Sequence, residues 1–333
     1  MYIADFHIHS RYSYATSKTC TLEYLDLWAR RKGIHIVGTG DFTHPAWRAE
    51  LKEKLAPAED GLYILKEEYR LYDEADGKKI DAYGRGQKEM IPRFIISGEI
   101  SSVYKKEGRS RKVHSLLLLP DFEAAERIAD RLSQIGNICS DGRPTLRLDC
   151  RDLLELALDE CGNSIYIPAH IWTPHFSVFG EFSGFETPDE CFGDMTSYVY
   201  AMETGLSSDP LMNRRVSVLD DYRLISNSDA HSPGNLGREA TLFDVELSYR
   251  GIAEAIRTGN GLCGTIEFFP QEGSIIWMDI EMRSLFYSCG DESTWRSMSC
   301  MRARGDGRSG SQNRGDGRQI GRGGEVCGGE RTV

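Results

Sequence analysis

The sequence predicts an α/β fold in which short buried strands alternate with helices around a parallel sheet or barrel. Three observations predict it. Seven short apolar runs, at residues 2–6, 34–39, 94–97, 113–119, 164–168, 198–202 and 224–226, end in polar side chains. Helical patterns lie between many of them, which is the rhythm of β/α units. The 333-residue length suits one barrel-sized domain with appendages.

The elements follow in order. Residues 22–32 place Leu22, Leu25, Trp28 and Ala29 at helical spacing, and residues 122–135 share that character, so both are expected as outer-layer helices. The charged stretch 47–90 is broken by Pro57, Gly61 and Gly77 and is expected as an insertion over one mouth of the barrel. The barrel domain is expected to span 1–273. The remainder, 274–333, is expected to be a low-complexity, disordered tail, because Gly, Arg and Ser dominate from Arg302 onward and RGDGR occurs twice. An Arg/Gly-rich tail that binds a nucleic-acid strand is the sharper alternative.

The net charge of −11 excludes nucleic-acid binding through overall charge and leaves only a local basic surface for it. The nine cysteines include no CxxC pair, and no secretory signal precedes the first strand, so reduced thiols and a cytoplasmic location are expected. No apolar run reaches the length of about 18 residues that a membrane span needs.

Chemistry concentrates at the strand ends. Strand alternation points His7 and His9 to one face, ready to chelate one ion. Residues 34–39 run into Gly40-Asp41-Phe42-Thr43-His44, 94–97 into Gly98-Glu99, and Val113 into His114; later come Pro168-Ala169-His170 and Ser228-Asp229-Ala230-His231. Of eight histidines only His35 stands apart from such an end. Imidazole and carboxylate ligands suit zinc as well as harder divalent ions such as Mn or Mg, and a carboxylate such as Glu99 bridges two ions where a neutral His does not. The set reads as two or three divalent metal ions. Clustered ions suit phosphate-ester cleavage, since they lower the pKa of water and neutralise charge on the phosphate and leaving oxygen.

The order HxH, TGD, GE, VH, PAH and SDAH resembles the PHP (polymerase and histidinol phosphatase) superfamily, and more nearly the endonuclease Q family. The nearer likeness rests on His7-Ile8-His9-Ser10, on Gly38 to Pro45, on Ile171-Trp172-Thr173-Pro174, on Glu203 to Pro210 and on Asn227 to Ser232. Over residues 1–273 it implies a distorted (β/α)7 barrel that nicks DNA 5′ to deaminated bases (uracil, hypoxanthine, xanthine) and abasic sites. It implies one metal set of His7, His9, Glu99 and Asp229 and a second of Glu99, His114 and His170. Asp41 and His231 would complete a third position, and Asp229, His231 and His170 would serve catalysis. Many PHP proteins carry a His where this chain reads Thr-Gly-Asp. The family's cysteine-rich zinc module and helical segment have no expected counterpart here, because Cys289, Cys300 and Cys327 lack paired spacing. DNA containing damaged bases is the implied partner; a sliding clamp or other repair protein is a further candidate that no residue pattern specifies.

For substrate, Lys105, Lys106, Arg109, Arg111 and Lys112 form a basic loop between Glu99 and His114, and Arg214 and Arg215 follow Asp209-Pro210. Both groups suit backbone phosphates, and ordinary solvated charge is the competing reading. Trp172, His175, Phe176, Phe179, Phe182 and Phe185 interleave with Gly180 and Gly184. That segment reads as a substrate loop that stacks an extruded base, with core packing as the alternative. A small-molecule phosphatase, histidinol-phosphate-like or nucleotide-directed, would use the same metals, and a non-catalytic DNA-binding or regulatory relic is the rival of another class.

Overall fold

The computed structural model describes residues 1–72 and 90–268; the C-terminal tail, its three cysteines and the second part of the 47–90 stretch lie outside the described residues. Twelve strands and seven α-helices are described. They run β1 (Tyr2–Asp5), α1 (Leu22–Lys32), β2 (Ile36–Gly38), α2 (Pro45–Lys54), β3 (Leu55–Pro57), β4 (Tyr63–Leu65), β5 (Arg93–Lys106), β6 (Arg109–Leu119) and α3 (Phe122–Ile135). There follow β7 (Thr145–Leu146), α4 (Cys150–Glu160), β8 (Ile165–Pro168), α5 (Pro188–Phe192), β9 (Ala201–Glu203), α6 (Pro210–Asn213), β10 (Arg223–Ile225), β11 (Ala240–Phe243), α7 (Tyr249–Thr258) and β12 (Leu262–Ile266).

The sheet is mixed, which corrects the all-parallel expectation. β1 pairs parallel with β2, and β2 with β5, but β11 pairs antiparallel with both β1 and β12. β5 and β6 form one long antiparallel hairpin, and β6 then pairs antiparallel with β8. β9 and β10 form a separate parallel pair, tied to the N-terminal segment by a bridge between Ile8 and Ala230. The closed seven-unit barrel is therefore not confirmed. A two-residue turn at Glu107 and Gly108, both at positive φ, joins β5 to β6, so most of the expected basic loop is strand.

The stretch that begins at 47 is not purely a loop over a mouth. Its start is the second helix, capped by His44 and holding Trp47 and Leu51 fully buried. The chain then folds back as the antiparallel pair β3–β4, which joins the sheet where Tyr63 meets Phe94. The buried Trp and Leu anchor it, a signal that its high charge obscured.

Alternation along the strands divides the core in two. Ala4, Ile36, Ile95, Leu116, Leu118, Ile165, Ile167, Ala201 and Ile225 pack with Ile252 and Ile256 of α7. Val37, Phe94, Ile96, Leu117, Leu119 and Tyr166 face the layer formed by α1 to α4. Because the side-chain period is two, Glu99 continues the face of Ile95, His114 that of Leu116, and Glu203 that of Ala201. The polar cluster thus sits at one end of the core that α7 fills.

Gly38 marks the closest approach of strands: a Cβ there would lie 2.1 Å from the Phe6 carbonyl oxygen and 2.4 Å from Ser97 Oγ. Backbone cannot step aside as a flexible side chain does. Gly38→Ala is expected to lower stability by about 3 kcal/mol, the upper end for overpacking, measured by denaturant unfolding; a wild-type midpoint would refute this account of the strand contact.

Candidate metal centre

Glu99 is the hub. Its Oε1 lies 2.7 Å from His114 Nδ1, 3.2 Å from His170 Nε2 and 3.5 Å from His7 Nε2. Its Oε2 lies 3.3 Å from His9 Nε2 and 3.1 Å from Arg143 Nη1. Asp229 Oδ1 approaches His9 Nε2 at 3.1 Å and His7 Nε2 at 3.5 Å. Two ligand groups result, His7, His9, Glu99 and Asp229 in one and Glu99, His114 and His170 in the other, each with donor atoms within 4.8 Å of one another.

The carboxylates behind the histidines fix their orientation. Both oxygens of Glu203 lie 3.0 Å from His7 Nδ1, and since a carboxylate only accepts, Nδ1 carries the proton. His7 Nε2 is then buried and without a hydrogen-bond partner, facing Glu99 and Asp229. An orphaned buried nitrogen among carboxylates is what a divalent ion satisfies, so these residues fit a metal. Glu203 also accepts from the backbone N–H of His170 and from Asn227 Nδ2, both at 2.8 Å.

Asp41 stands to His9 as Glu203 stands to His7. Its Oδ1 takes His9 Nδ1 at 3.1 Å, while Oδ2 accepts from the N–H and hydroxyl of Ser10 and from Ser13 Oγ. With its acceptors so engaged on the far side of the imidazole, Asp41 joins neither candidate group. His231 also joins neither group; its ring lies 4.4 Å from that of His9, with Nδ1 3.0 Å from the Asp229 carbonyl oxygen. His44 is structural, stacked on Tyr12 and bonded to the Cys139 carbonyl.

Backbone conformation serves the same end. Asp41, His170 and Asp229 hold φ of 47°, 30° and 46°, a left-handed region that costs non-glycine residues about 1–3 kcal/mol each and persists where surrounding contacts dictate it. Gly205 packs so closely under His170 that a Cβ would sit 2.5 Å from the His170 Cβ.

Electrostatics follow from burial and pairing. Burial opposes ionisation of Glu99, yet His114 and His7, with hydrogen bonds from His114 and His170, hold it well below the usual carboxylate range. Burial likewise opposes Asp229, which His7 and His9 hold well below its ordinary value. Burial would lower His7, but Glu203, Glu99 and Asp229 raise it well above its ordinary value; His9 is raised against burial by Asp229, Asp41 and Glu99. His114 is pushed by burial down to about 4 despite Glu99, so its imidazole is neutral at pH 7.

The expected substrate residues are only partly brought here. Phe176 packs on His114, with ring centroids 4.6 Å apart, and so borders the second ligand group. Trp172 stacks on Phe179 and donates to Asn213, while His175 stacks on Phe182, which is 62% exposed. Lys105, Lys106 and Arg109 flank the hairpin tip, and at about 3.3 Å per residue Lys106 lies roughly 23 Å along the strand from Glu99. Lys106 donates to the Cys191 carbonyl. Arg214 is turned inward, donating to the carbonyls of Leu219, Asp220 and Tyr222, so its guanidinium staples a loop. Sequence reasoning missed Glu203 as the partner of His7, although it follows an apolar run like the other site residues. It missed Arg143 because nothing local marks it.

In fold the chain is similar to solved structures of endonuclease Q. The lesion-specific endonuclease PfuEndoQ of Pyrococcus furiosus superposes with a TM-score of 0.64 at 28% identity, covering 82% of this chain and 60% of that one. Endonuclease Q in complex with a 27-mer duplex substrate, an abasic lesion at its active site, gives 0.65 at 28% identity, covering 82% and 61%. The uncharacterized protein YqxK of Bacillus subtilis is 30% identical over 250 residues, which is 71% of this chain and 56% of that protein. This chain thus spans a little over half the length of these relatives. No protein-family model matches it.

Two expectations follow. Asp41→Asn and Glu203→Gln should each weaken metal affinity about 10- to 100-fold, the usual cost of losing a partner behind a ligating His, with unchanged stoichiometry in a chelator-competition titration; loss of one whole ion in Asp41→Asn would make Asp41 a ligand. Since His7 and His9 are raised and a ligating imidazole must be neutral, metal has to displace their protons. Affinity should rise from pH 6 to pH 8 with measurable proton release on loading, and pH-independent binding would contradict it.

Proposed function

We propose that this protein is a metal-dependent hydrolase of phosphate esters, and specifically a DNA endonuclease that cleaves 5′ to uracil, hypoxanthine, xanthine and abasic sites. The observation that carries this is Glu99, shared between two groups of ligand donors at one end of the buried core. Two or three divalent ions, zinc, manganese or magnesium, would be held by His7, His9, Glu99 and Asp229 and by Glu99, His114 and His170. When bound, they supply Lewis acidity that lowers the pKa of water and neutralises charge on the phosphate.

The chain's own residues do the rest. His231 is lowered by burial and by neighbouring His9, so its imidazole is neutral at pH 7. Its Nδ1–H is donated to the Asp229 carbonyl, which leaves Nε2 as the acceptor that takes up and returns a proton. Asp229 and His231, each 30% exposed in their side chains, form the accessible rim, with His170 beneath. His175 and Phe182 form an exposed stacked pair suited to an extruded base, while Lys105 and Arg109 at the hairpin tip suit the more distant backbone. The DNA reading is further supported by the likeness to endonuclease Q, whose solved complex holds a lesion-bearing duplex. The six cysteines among the described residues are free thiols, in keeping with a cytoplasmic location. Among those residues no helix is long and apolar enough to cross a membrane.

A small-molecule phosphatase is the second reading, favoured by the net charge of −11 and by the inward commitment of Arg214. Purified protein supplied with Mg, Mn or Zn and given labelled DNA carrying one lesion should cut 5′ to that lesion and spare matched undamaged DNA. Chelation and Glu99→Gln should each abolish the cut. Release of phosphate from small monoesters with no DNA cleavage would replace the nuclease by the phosphatase.

A further inference from the structure

Arg143 is the one Lys or Arg among the described residues whose side chain reaches a carboxylate of either ligand group, with Nη1 3.1 Å from Glu99 Oε2. It arrives from a loop that belongs to neither strand of the hairpin, and that loop is pinned on both sides. Gly142 donates its N–H to the Tyr12 carbonyl and accepts from Thr43 Oγ1, and the Pro144 carbonyl accepts from Ser101 N–H. A Cβ at Gly142 would lie 2.3 Å from Asp41 Oδ2 and 2.5 Å from Ser13 Oγ, so only glycine lets the loop press this closely on the residues behind His9.

The side chain of Arg143 is 24% exposed, whereas that of Glu99 is fully buried. Its guanidinium therefore bridges the buried hub and the accessible rim. Among the described residues its remaining nitrogens make no hydrogen bond. A guanidinium offers five N–H donors in a planar fork, and one contact with Glu99 leaves the fork able to engage two oxygens of a tetrahedral anion. Neutralising Glu99 alone would not require a long donor that extends to solvent.

We infer that Arg143 is the phosphate-binding residue of this site, holding a non-bridging oxygen of the phosphoryl group against the ligand cluster. This rests on the phosphoesterase reading above and deepens it. Glu99 sets the depth of the guanidinium, and the Gly142–Pro144 anchors set its direction, so the anion is received by a group already in place.

The test separates this inference from the wider reading by measuring binding apart from turnover. Full-length protein loaded with Mn is titrated calorimetrically with inorganic phosphate, alongside Arg143→Gln and Arg143→Lys, with metal content and thermal midpoint recorded for each. Arg143→Gln should bind phosphate about tenfold or more weakly, the scale of one charge-assisted hydrogen bond, and Arg143→Lys should recover part of that loss, both with wild-type metal content. In parallel, hydrolysis of bis(p-nitrophenyl) phosphate should fall in Arg143→Gln, and added guanidinium chloride should partly restore it. Equal phosphate affinity in Arg143→Gln, or no phosphate binding by the wild-type protein, overturns the inference. Loss of metal from Arg143→Gln without a change in phosphate affinity at matched loading also overturns it, and makes the residue a counter-ion to Glu99. If the wild-type protein hydrolyses no phosphate ester yet the affinity difference holds, the phosphate site stands and the enzymatic reading falls.

Discussion

A buried carboxylate needs compensation, because removing an ion from water costs several kcal/mol even after the protein relaxes. Glu99, fully buried and ionised, obtains it from His7, His9, His114, His170 and Arg143. These partners come from the N-terminal segment, from the hairpin strand paired with Glu99's own, from the segment after β8 and from the loop before β7. Their convergence ties distant parts of the chain to one group. The antiparallel hairpin makes this possible, because it sets Glu99 opposite Leu116 and thereby places His114 two residues away on the same face.

Around that hub the structure holds its ligands by a second layer of charge. Glu203 and Asp41 each occupy the Nδ1 of one histidine and leave its Nε2 toward the hub. The cost appears in the backbone, where Asp41, His170 and Asp229 adopt left-handed conformations at the ends of strands. Tight backbone packing at Gly38 and Gly205 holds those ends in place. The apolar core beneath, completed by α7, gives the rigid support that a preorganised polar cluster needs.

The outer features divide by distance. Phe176 touches the ligand group directly, whereas the basic residues of the hairpin are carried to its far tip. A reading of sequence order put Lys105 and Arg109 beside Glu99 and His114, since they lie between them in the chain. The strand length reverses that inference: the residues midway between two ligands in sequence are the farthest from both in space.

The residues that converge on Glu99 were legible because their chemistry is local. A His-x-His pair needs only strand alternation to face one way, and Glu99, His114, His170 and Asp229 each belong to a short motif whose residue types announce a ligand. Strand and helix positions were legible for the same reason, through apolar runs and helical spacing. Tertiary structure alone decided which of these groups converge on Glu99 and which stand behind a converging histidine. Asp41 and Asp229 are both carboxylates after a buried strand, and only the tertiary fold sets Asp41 at His9 Nδ1 and Asp229 at His9 Nε2. It also decided the antiparallel pairing of β5 with β6, the inward turn of Arg214 and the arrival of Arg143. Each depends on contacts between residues distant in the chain, and local periodicity carries no information about them.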